Sequence, residues 1–438
     1  MQSAAASVAA LVGSSLLLVA AFYAGVWAWL RGGWAAPPPS PPAAAPAPNE
    51  TVEAAGQAAA PAPLAALPRS AEFSLPALAL GTANTAPATA APLFSVLIAA
   101  RNEAAALPAL LAALGAQTLP PAQFEVLIAS DHSADATAAL VAQAARTTPF
   151  RLRLIELPPG ATGKKAALAA AEAQARAPWA VCTDADCRPG PGWLAAYAEL
   201  LFSPARALGP PAPRPDLHFI SGPVCLTPGG AWFDGLLALE FAGLVGVGAG
   251  CIARGRPTMC NGANLAFRRA SFGEVGGYAD NAGLASGDDE FLLHKLAQRY
   301  PAGIRFLADA RAVVDTPAPA TLGALLRQRV RWASKYPHYR AAAPRQLALL
   351  VLGTNVALAL GLALGLAWPA LGPWVATTWA LKLGADAWLL WPTLGLLRQR
   401  RWLAWLLPLQ LLYAPYALAV GLAGRGGGGY HWKGRQVL

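Results

Sequence analysis

The chain has 438 residues, 55% of them apolar and only 13% charged, with a mean hydropathy of +0.40; this excludes an ordinary soluble protein and calls for transmembrane helices. The net charge of +10 is compatible with nucleic-acid binding, but Arg and Lys cluster beside the apolar segments, which favours a membrane surface and no nucleic-acid partner. Five cysteines without a C-x-x-C pair argue against a disulfide framework or structural zinc and fit a reducing compartment.

Residues 1–31 read as an N-terminal transmembrane anchor. Met1 to Leu30 carries no charge, and Ala9 to Leu30 is long and apolar enough to span a bilayer. A cleaved signal peptide would begin with a basic region, whereas the first basic residue is Arg31, after the apolar run. Arg31 is therefore expected inside and the N-terminus outside. Residues 32–91 are rich in Ala and Pro, cannot bury a core, and read as a disordered tether.

A catalytic-type domain is expected over 92–320. Phe94–Ala99, Phe124–Ser130, Leu152–Glu156 and 179–183 read as strands. Glu103–Gly115, Ala134–Arg146 and Lys164–Arg176 read as the helices between them. This alternation predicts an α/β fold with a doubly wound, mostly parallel sheet. Ligands of such sheets bind at the carboxyl ends of the strands. Four loops fall there: Ala99–Glu103, Asp131–Asp135, Pro158–Lys165 and Asp184–Asp186. No G-x-G-x-x-G is present, which argues against a dinucleotide.

The fourth strand runs straight into Asp184-Ala-Asp186. Carboxylates at i and i+2 leave a strand on one face and can meet one ligand. Hard oxygen donors of this kind suit Mg²⁺ or Mn²⁺; the bland alternative is a solvated turn. Beyond it, Gly209–Pro215 reads as a loop, Phe219–Val224 as a strand, and Ala231–Gly250 as a buried or interfacial helix, because it holds Asp234 and Glu240. Cys260–Arg268 reads as a turn into a strand. Ser286–His294 opens a helix with Asp288, Asp289 and Glu290 in its first turn, a placement that suits the helix dipole without any catalytic role. Residues 321–345 form a basic amphipathic segment containing Gln328-Arg-Val-Arg-Trp332, which an interfacial helix with snorkelling arginines would also explain.

Residues 346–423 hold three apolar segments, and 424–438 a basic tail. Basic and neutral loops alternate around these segments, which puts residues 92–345 on the cytoplasmic side of the cell (inner) membrane. Pro408 and Pro415 interrupt the last segment. Lys382 and Asp386 lie four apart within the second and are expected to pair.

Taken together, Ala99-Ala-Arg-Asn-Glu103, Asp131, Gly163-Lys-Lys165, Asp184-Ala-Asp186, Asp288-Asp289 and Gln328-x-x-Arg331-Trp332 resemble the membrane-embedded family 2 glycosyltransferases. That group includes cellulose, chitin and hyaluronan synthases. The resemblance runs from about residue 93 to 340 and into the C-terminal spans. It implies a GT-A fold with one N-terminal and about three C-terminal transmembrane helices. It further implies transfer of a sugar, with inversion, from a nucleotide donor, expected to be a UDP-sugar, to a lipid or glycan acceptor. By that resemblance Glu103 and Asp131 hold the nucleoside, and Lys164, with Lys165 as second choice, meets the nucleotide or its diphosphate. Asp184 contacts the nucleotide or donor sugar, Asp186 binds Mg²⁺ or Mn²⁺, and Asp289 is the general base. Gln328, Arg331 and Trp332 close over the diphosphate and the acceptor. Asn261–Asn264 corresponds to a turn near the donor sugar. On physical grounds Asp288 would raise the pKa of Asp289 toward working pH. A membrane-anchored nucleotidyltransferase and a non-catalytic membrane scaffold are the rival readings. The first lacks its Gly-rich phosphate loop here, and the second gives no reason for Asp186, Asp289 and Trp332 to coexist.

Overall fold

The computed structural model describes residues 2–34, 91–202, 217–281, 286–424, 430–432 and 435–437. The tether over 35–90, the Gly209–Pro215 loop and most of the basic tail lie outside them. After a long N-terminal helix α1 (Gln2–Gly33), the chain forms β1 (Phe94–Ala100), α2 (Leu107–Gly115), β2 (Phe124–Ser130), α3 (Thr137–Ala144), β3 (Arg151–Glu156), α4 (Lys164–Ala173) and β4 (Trp179–Cys182). β1 and β2 are runs of β-branched, aromatic and small apolar residues, and both their faces are buried, as strands inside a parallel sheet require. The chain continues through β5 (Arg188–Pro189), α5 (Trp193–Phe202), β6 (Phe219–Ser221), β7 (Val224–Thr227), α6 (Asp234–Ala253), β8 (Leu265–Arg268) and α7 (Arg269–Glu274). Next come α8 (Glu290–Arg299), β9 (Ile304–Phe306), β10 (Val314–Pro317) and α9 (Leu322–Ala333).

The main sheet has the order β3-β2-β1-β4-β8-β6-β9. β1 pairs in parallel with β2 and with β4, whereas β8 runs antiparallel to β4 and β6. The strand order reverses between β1 and β4, the position where such sheets open a crevice at their carboxyl ends. Phe94, Ile98, Trp193, Tyr197, Phe219 and Phe267 are almost fully buried on the two sides of this sheet, each apolar side chain worth about 1.5–3 kcal/mol of burial.

Two expected elements differ. Phe219–Val224 is not one strand: Pro223 has no N–H for a ladder, so the chain breaks into β6 in the main sheet and β7 in the small sheet β5-β10-β7. The acidic helix begins only at Glu290. Gly287 adopts φ 83°, a left-handed conformation, and turns the chain there, so Asp288 and Asp289 precede the helix and Asp289 caps it.

Three long helices close the fold: α10 (Ala342–Ala367), α11 (Gly372–Leu396) and α12 (Leu406–Ala423); a short hairpin of β11 (Tyr430–Trp432) and β12 (Arg435–Val437) follows. α12 is continuous through Pro415, and Pro408 lies in its first turn, where its missing N–H costs least. By length and composition, four helical segments among the described residues suit a membrane crossing: 6–33, 234–253, 342–367 and 400–423. The 234–253 segment is as apolar as the others but mostly buried within the protein. α11 has the length but less apolarity, because Lys382 and Asp386 sit in its middle. Those two do pair, and Asp386 also accepts from the Tyr23 hydroxyl (2.6 Å) and the Gln410 amide (2.7 Å).

Candidate active site

The loops after β1 and β2 lock together at the mouth of the crevice. Asn102 and His132 adopt left-handed conformations (φ 54° and 51°). Asn102 Oδ1 accepts from the Ala134 N–H at 2.8 Å, and Thr137 Oγ1 accepts from the Glu103 N–H at 2.8 Å. Asp131 is 1% exposed; it accepts from the Gly163 N–H (3.1 Å) and lies 3.8 Å from Arg101. It thereby fixes the start of α4, where Lys164 projects.

A cavity of about 500 Å³ opens at the carboxyl ends of β1 and β4. Glu103, Lys164, Asp184, Asp186 and Asp289 line it from the sheet side, and Gln328, Arg331 and Trp332 line it from α9. Of the nine residues expected at the site, Asp131 alone stands outside this lining, behind Gly163.

Lys164 is the hub of the charged groups. Its ammonium lies 2.8 Å from Asp184 and 3.0 Å from Asp288. Burial pulls its pKa down, but the two carboxylates outweigh that and hold it well above the ordinary value. Asp289 Oδ1 accepts from the Glu290 N–H (2.8 Å) and Oδ2 from the Gly262 N–H (2.9 Å). Burial pushes the Asp289 carboxyl up to about 6; Lys335 opposes this, and Asp288 and Glu290 add to it. The expected effect of Asp288 on Asp289 is thus present but secondary to desolvation. Burial pushes Asp288 up as well, yet Lys164 outweighs it and leaves Asp288 below the ordinary range. Two neighbouring carboxyls are therefore driven apart, one ionised and one poised near neutrality.

Asp184, Asp186 and Cys187 place ligand atoms within 4.8 Å of one another. The Cys187 thiol is fully buried and donates to Asp186 Oδ1, so the available donors are hard carboxylate oxygens facing the cavity. That donor set fits Mg²⁺ or Mn²⁺ and not a soft metal.

Helix α9 begins at Thr321, whose hydroxyl accepts from the Ala324 N–H. Its arginines are not merely a snorkelling fringe. Arg329 is 4% exposed, lies 2.7 Å from Glu240 of α6, and stacks 4.3 Å from the Trp332 ring centre. Tyr416 of α12 donates to the same Glu240 at 2.9 Å.

Three groups at the site escaped the sequence reading. The Gly262 amide holds Asp289, and a Cβ there would lie 3.1 Å from both Asp288 Oδ2 and Lys164 Nζ, so a larger residue would press on both groups. Lys335 lies 2.8 Å from Glu290, which also accepts from the Tyr339 hydroxyl. Lys335 follows Trp332 by three residues, one helical turn, and that spacing was the available signal. Asn264, in contrast, is a structural residue. It is fully buried and bonded to Trp193, Tyr197, Pro223 and Ala312, and does not line the cavity.

The sheet order, the acidic crevice and the overlying membrane helices define a GT-A glycosyltransferase architecture. The glycosyl transferase family group 2 profile matches residues 179–418, more than half of the chain, and the glycosyl transferase family 2 profile matches 95–214. The chain belongs to this family, the family 2 glycosyltransferases. No curated protein matches it. Among solved structures it is similar to the mannosyltransferase PcManGT from Pyrobaculum calidifontis, in complex with GDP-Man and Mn²⁺. The two share 19% identity over 95% of this chain and 99% of that one, with a TM-score of 0.52. It is also similar to TarS 1-349 from S. aureus in complex with UDP-GlcNAc (15% identity, 78% and 95% covered, TM-score 0.38). A third likeness is to glucosyl-3-phosphoglycerate synthase from Mycobacterium tuberculosis with Mn²⁺, UDP-glucose and phosphoglyceric acid (18% identity, 56% and 79% covered, TM-score 0.35).

Proposed function

We propose that the protein is an inverting, divalent-metal-dependent hexosyltransferase. It moves a sugar from a nucleoside-diphosphate sugar, a UDP-sugar first among candidates, to an acceptor at the inner membrane, with its catalytic domain on the cytoplasmic side. The observation that carries this reading is one cavity lined by Asp186, Asp289, Lys164, Arg331 and Trp332 together. Breaking the sugar–diphosphate bond builds charge on the departing phosphate. Lys164, kept protonated by its two carboxylates, and Arg331 neutralise part of it. Asp186, with Asp184 beside it, would hold Mg²⁺ or Mn²⁺, which when bound would supply further neutralisation. Asp289 removes the acceptor proton as the oxygen attacks, and a single in-line displacement inverts the anomeric centre. Glu103 reads the nucleoside from the loop after β1, and Asp131 supports it by fixing the Gly163 turn. Trp332 offers a flat apolar face to a sugar ring.

The test is to incubate the purified full chain with UDP-sugars, and with GDP-mannose beside them, in Mn²⁺. Release of nucleoside diphosphate is expected, lost in chelator and restored by Mn²⁺, and absent in Asp186→Ala at any Mn²⁺ concentration. Release of pyrophosphate from nucleoside triphosphate would instead support a nucleotidyltransferase, and no release would leave a scaffold.

A further inference from the structure

A second cavity, of about 490 Å³, lies among α1, α6, α10, α11 and α12. It meets the first at the end of α9, and the two share Leu244, Met259, Trp332, Ala333, Pro344 and Ala348. From this junction its wall follows α10 from Pro344 to Asn355, about 16 Å at the rise of an α-helix. Along α12 it takes Leu409, Tyr413, Tyr416 and Val420, which lie on one face by their spacing. Its volume is in the range of ligand pockets.

The chemistry of the wall is specific. Its charged side chains are engaged with one another, Glu240 with Arg329 and Lys382 with Asp386, so it presents no ionic partner to a ligand. The remaining wall is mainly Leu, Val, Ala and Gly. Its other polar groups are few, and Tyr23, Asn355, Gln410 and Tyr416 among them already bond within the protein, so most hydroxyls of a glycan would be buried there without partners, at about 2–7 kcal/mol each. The cavity also reaches the side of the helices: Leu349 of α10 (66% exposed) and the exposed Gly421 of α12 both line it. On helices that suit a membrane crossing, a side opening faces acyl chains. The six residues common to both cavities include no cation, and Arg331 and Lys335 line only the first. A phosphate oxygen is in any case largely ionised near neutral pH and needs no base, whereas a hydroxyl does.

We propose that the acceptor is a hydroxyl-terminated lipid. Its apolar chain enters between α10 and α12 and fills the second cavity, and its hydroxyl passes Trp332 to reach Asp289. This rests on the transferase reading of the first cavity. In the step itself the lipid oxygen forms the bond to the anomeric carbon, the sugar–diphosphate bond breaks toward the diphosphate, and the hydroxyl proton goes to Asp289.

The test uses the full chain in nanodiscs with two probes: primary alcohols of increasing chain length as acceptors, and a long-chain alcohol bearing a photoreactive diazirine. Two variants fill the cavity. At Gly243 a Cβ would have Leu390 Cδ2 at 3.9 Å as its nearest neighbour, and at Gly421 nothing lies within 4 Å, so Gly243→Leu and Gly421→Trp both have room. Cross-links are expected on peptides 347–355 and 409–420 and should fall about tenfold in either variant, the equivalent of displacing two methylenes. Transfer should rise with chain length in the wild type and rise less in the variants. Nucleotide affinity measured on the same preparations separates a filled cavity from a misfolded chain; if Gly243→Leu loses it, Gly421→Trp decides. Labelling spread evenly over Leu11, Leu18 and Phe22 of α1 and insensitive to the variants would overturn the proposal. So would a flat chain-length profile, or preference for an alkyl phosphate or a glycan. Absence of nucleoside diphosphate release with every acceptor would overturn the transferase reading instead, while the cross-link pattern would still decide the cavity.

Discussion

Asp289 accepts from two backbone amides and also lines the cavity, so its role can be separated from its capping. Asp289→Asn keeps one acceptor but turns an NH₂ toward an amide N–H, at a cost of about 1–3 kcal/mol in stability. The larger effect should be on chemistry: single-turnover transfer is expected to fall about 10²–10⁴-fold, the usual worth of a general base. Nucleotide affinity should hardly move, because the proposed function assigns it to Glu103, Lys164 and the metal. The same assays on Asp288→Asn and Glu290→Gln check the assignment; near-normal transfer by Asp289→Asn would remove it. The pH dependence has a definite sign. Burial raises the Asp289 pKa to about 6, and only the ionised form takes a proton. Transfer should therefore be lost as pH falls through about 6, roughly tenfold per unit below it. At this scale the sequence was a good guide to which side chains meet, since eight of the nine line one cavity. It was silent on the Gly262 amide, because a backbone donor leaves no trace in residue type. Of the turn Asn261–Asn264, the first three residues line the cavity, while the Asn264 side chain is used by the fold.

At the scale of elements, α9 is held over the cavity by a buried ion pair to α6, whose Glu240 also accepts from Tyr416 of α12. Arg329→Ala would strand Glu240 and should cost about 3–5 kcal/mol. Replacing both, as Arg329→Met with Glu240→Leu, should recover much of that, since a buried pair gains little over apolar packing. Yet the Trp332 ring would still lack the guanidinium now stacked on it at 4.3 Å. Thermal unfolding in detergent should show a fall for the single variant and recovery for the double. Transfer assays should show the double still impaired; full activity there would mean that Trp332 needs no such support. The alternation of strands and helices made the sheet legible, because β1, β2 and β4 are largely apolar runs and β3 alternates charged and apolar residues. The break at Pro223 and the late start of α8 were not, because both depend on single backbone positions.

For the whole molecule, the charge alternation around the helices makes a claim about sidedness. Native thiols serve poorly: Cys182, Cys187, Cys225 and Cys251 are buried, and Cys260 is half-buried in the cavity wall, so the unsubstituted chain is the control for any labelling there. Ala122 is exposed on the catalytic domain, so Ala122→Cys in an otherwise active chain serves instead. A membrane-impermeant maleimide should leave it unmodified in intact cells and label it after permeabilisation. Labelling of intact cells would invert the topology.

The polar cluster around Lys382 has a bearing on how the chain is made. α11 cannot satisfy itself: Asp386 needs a hydroxyl from α1, synthesised first, and an amide from α12, synthesised last. A segment carrying two charges at its centre costs several kcal/mol to leave alone among lipid tails. Its lodging in the bilayer therefore waits on the ribosome finishing the chain, with α1 held ready and Gln410 closing the set. A chain stopped after Leu396 should leave α11 extractable by alkali while α1 stays in the membrane, and supplying 397–438 as a separate polypeptide should bring α11 back.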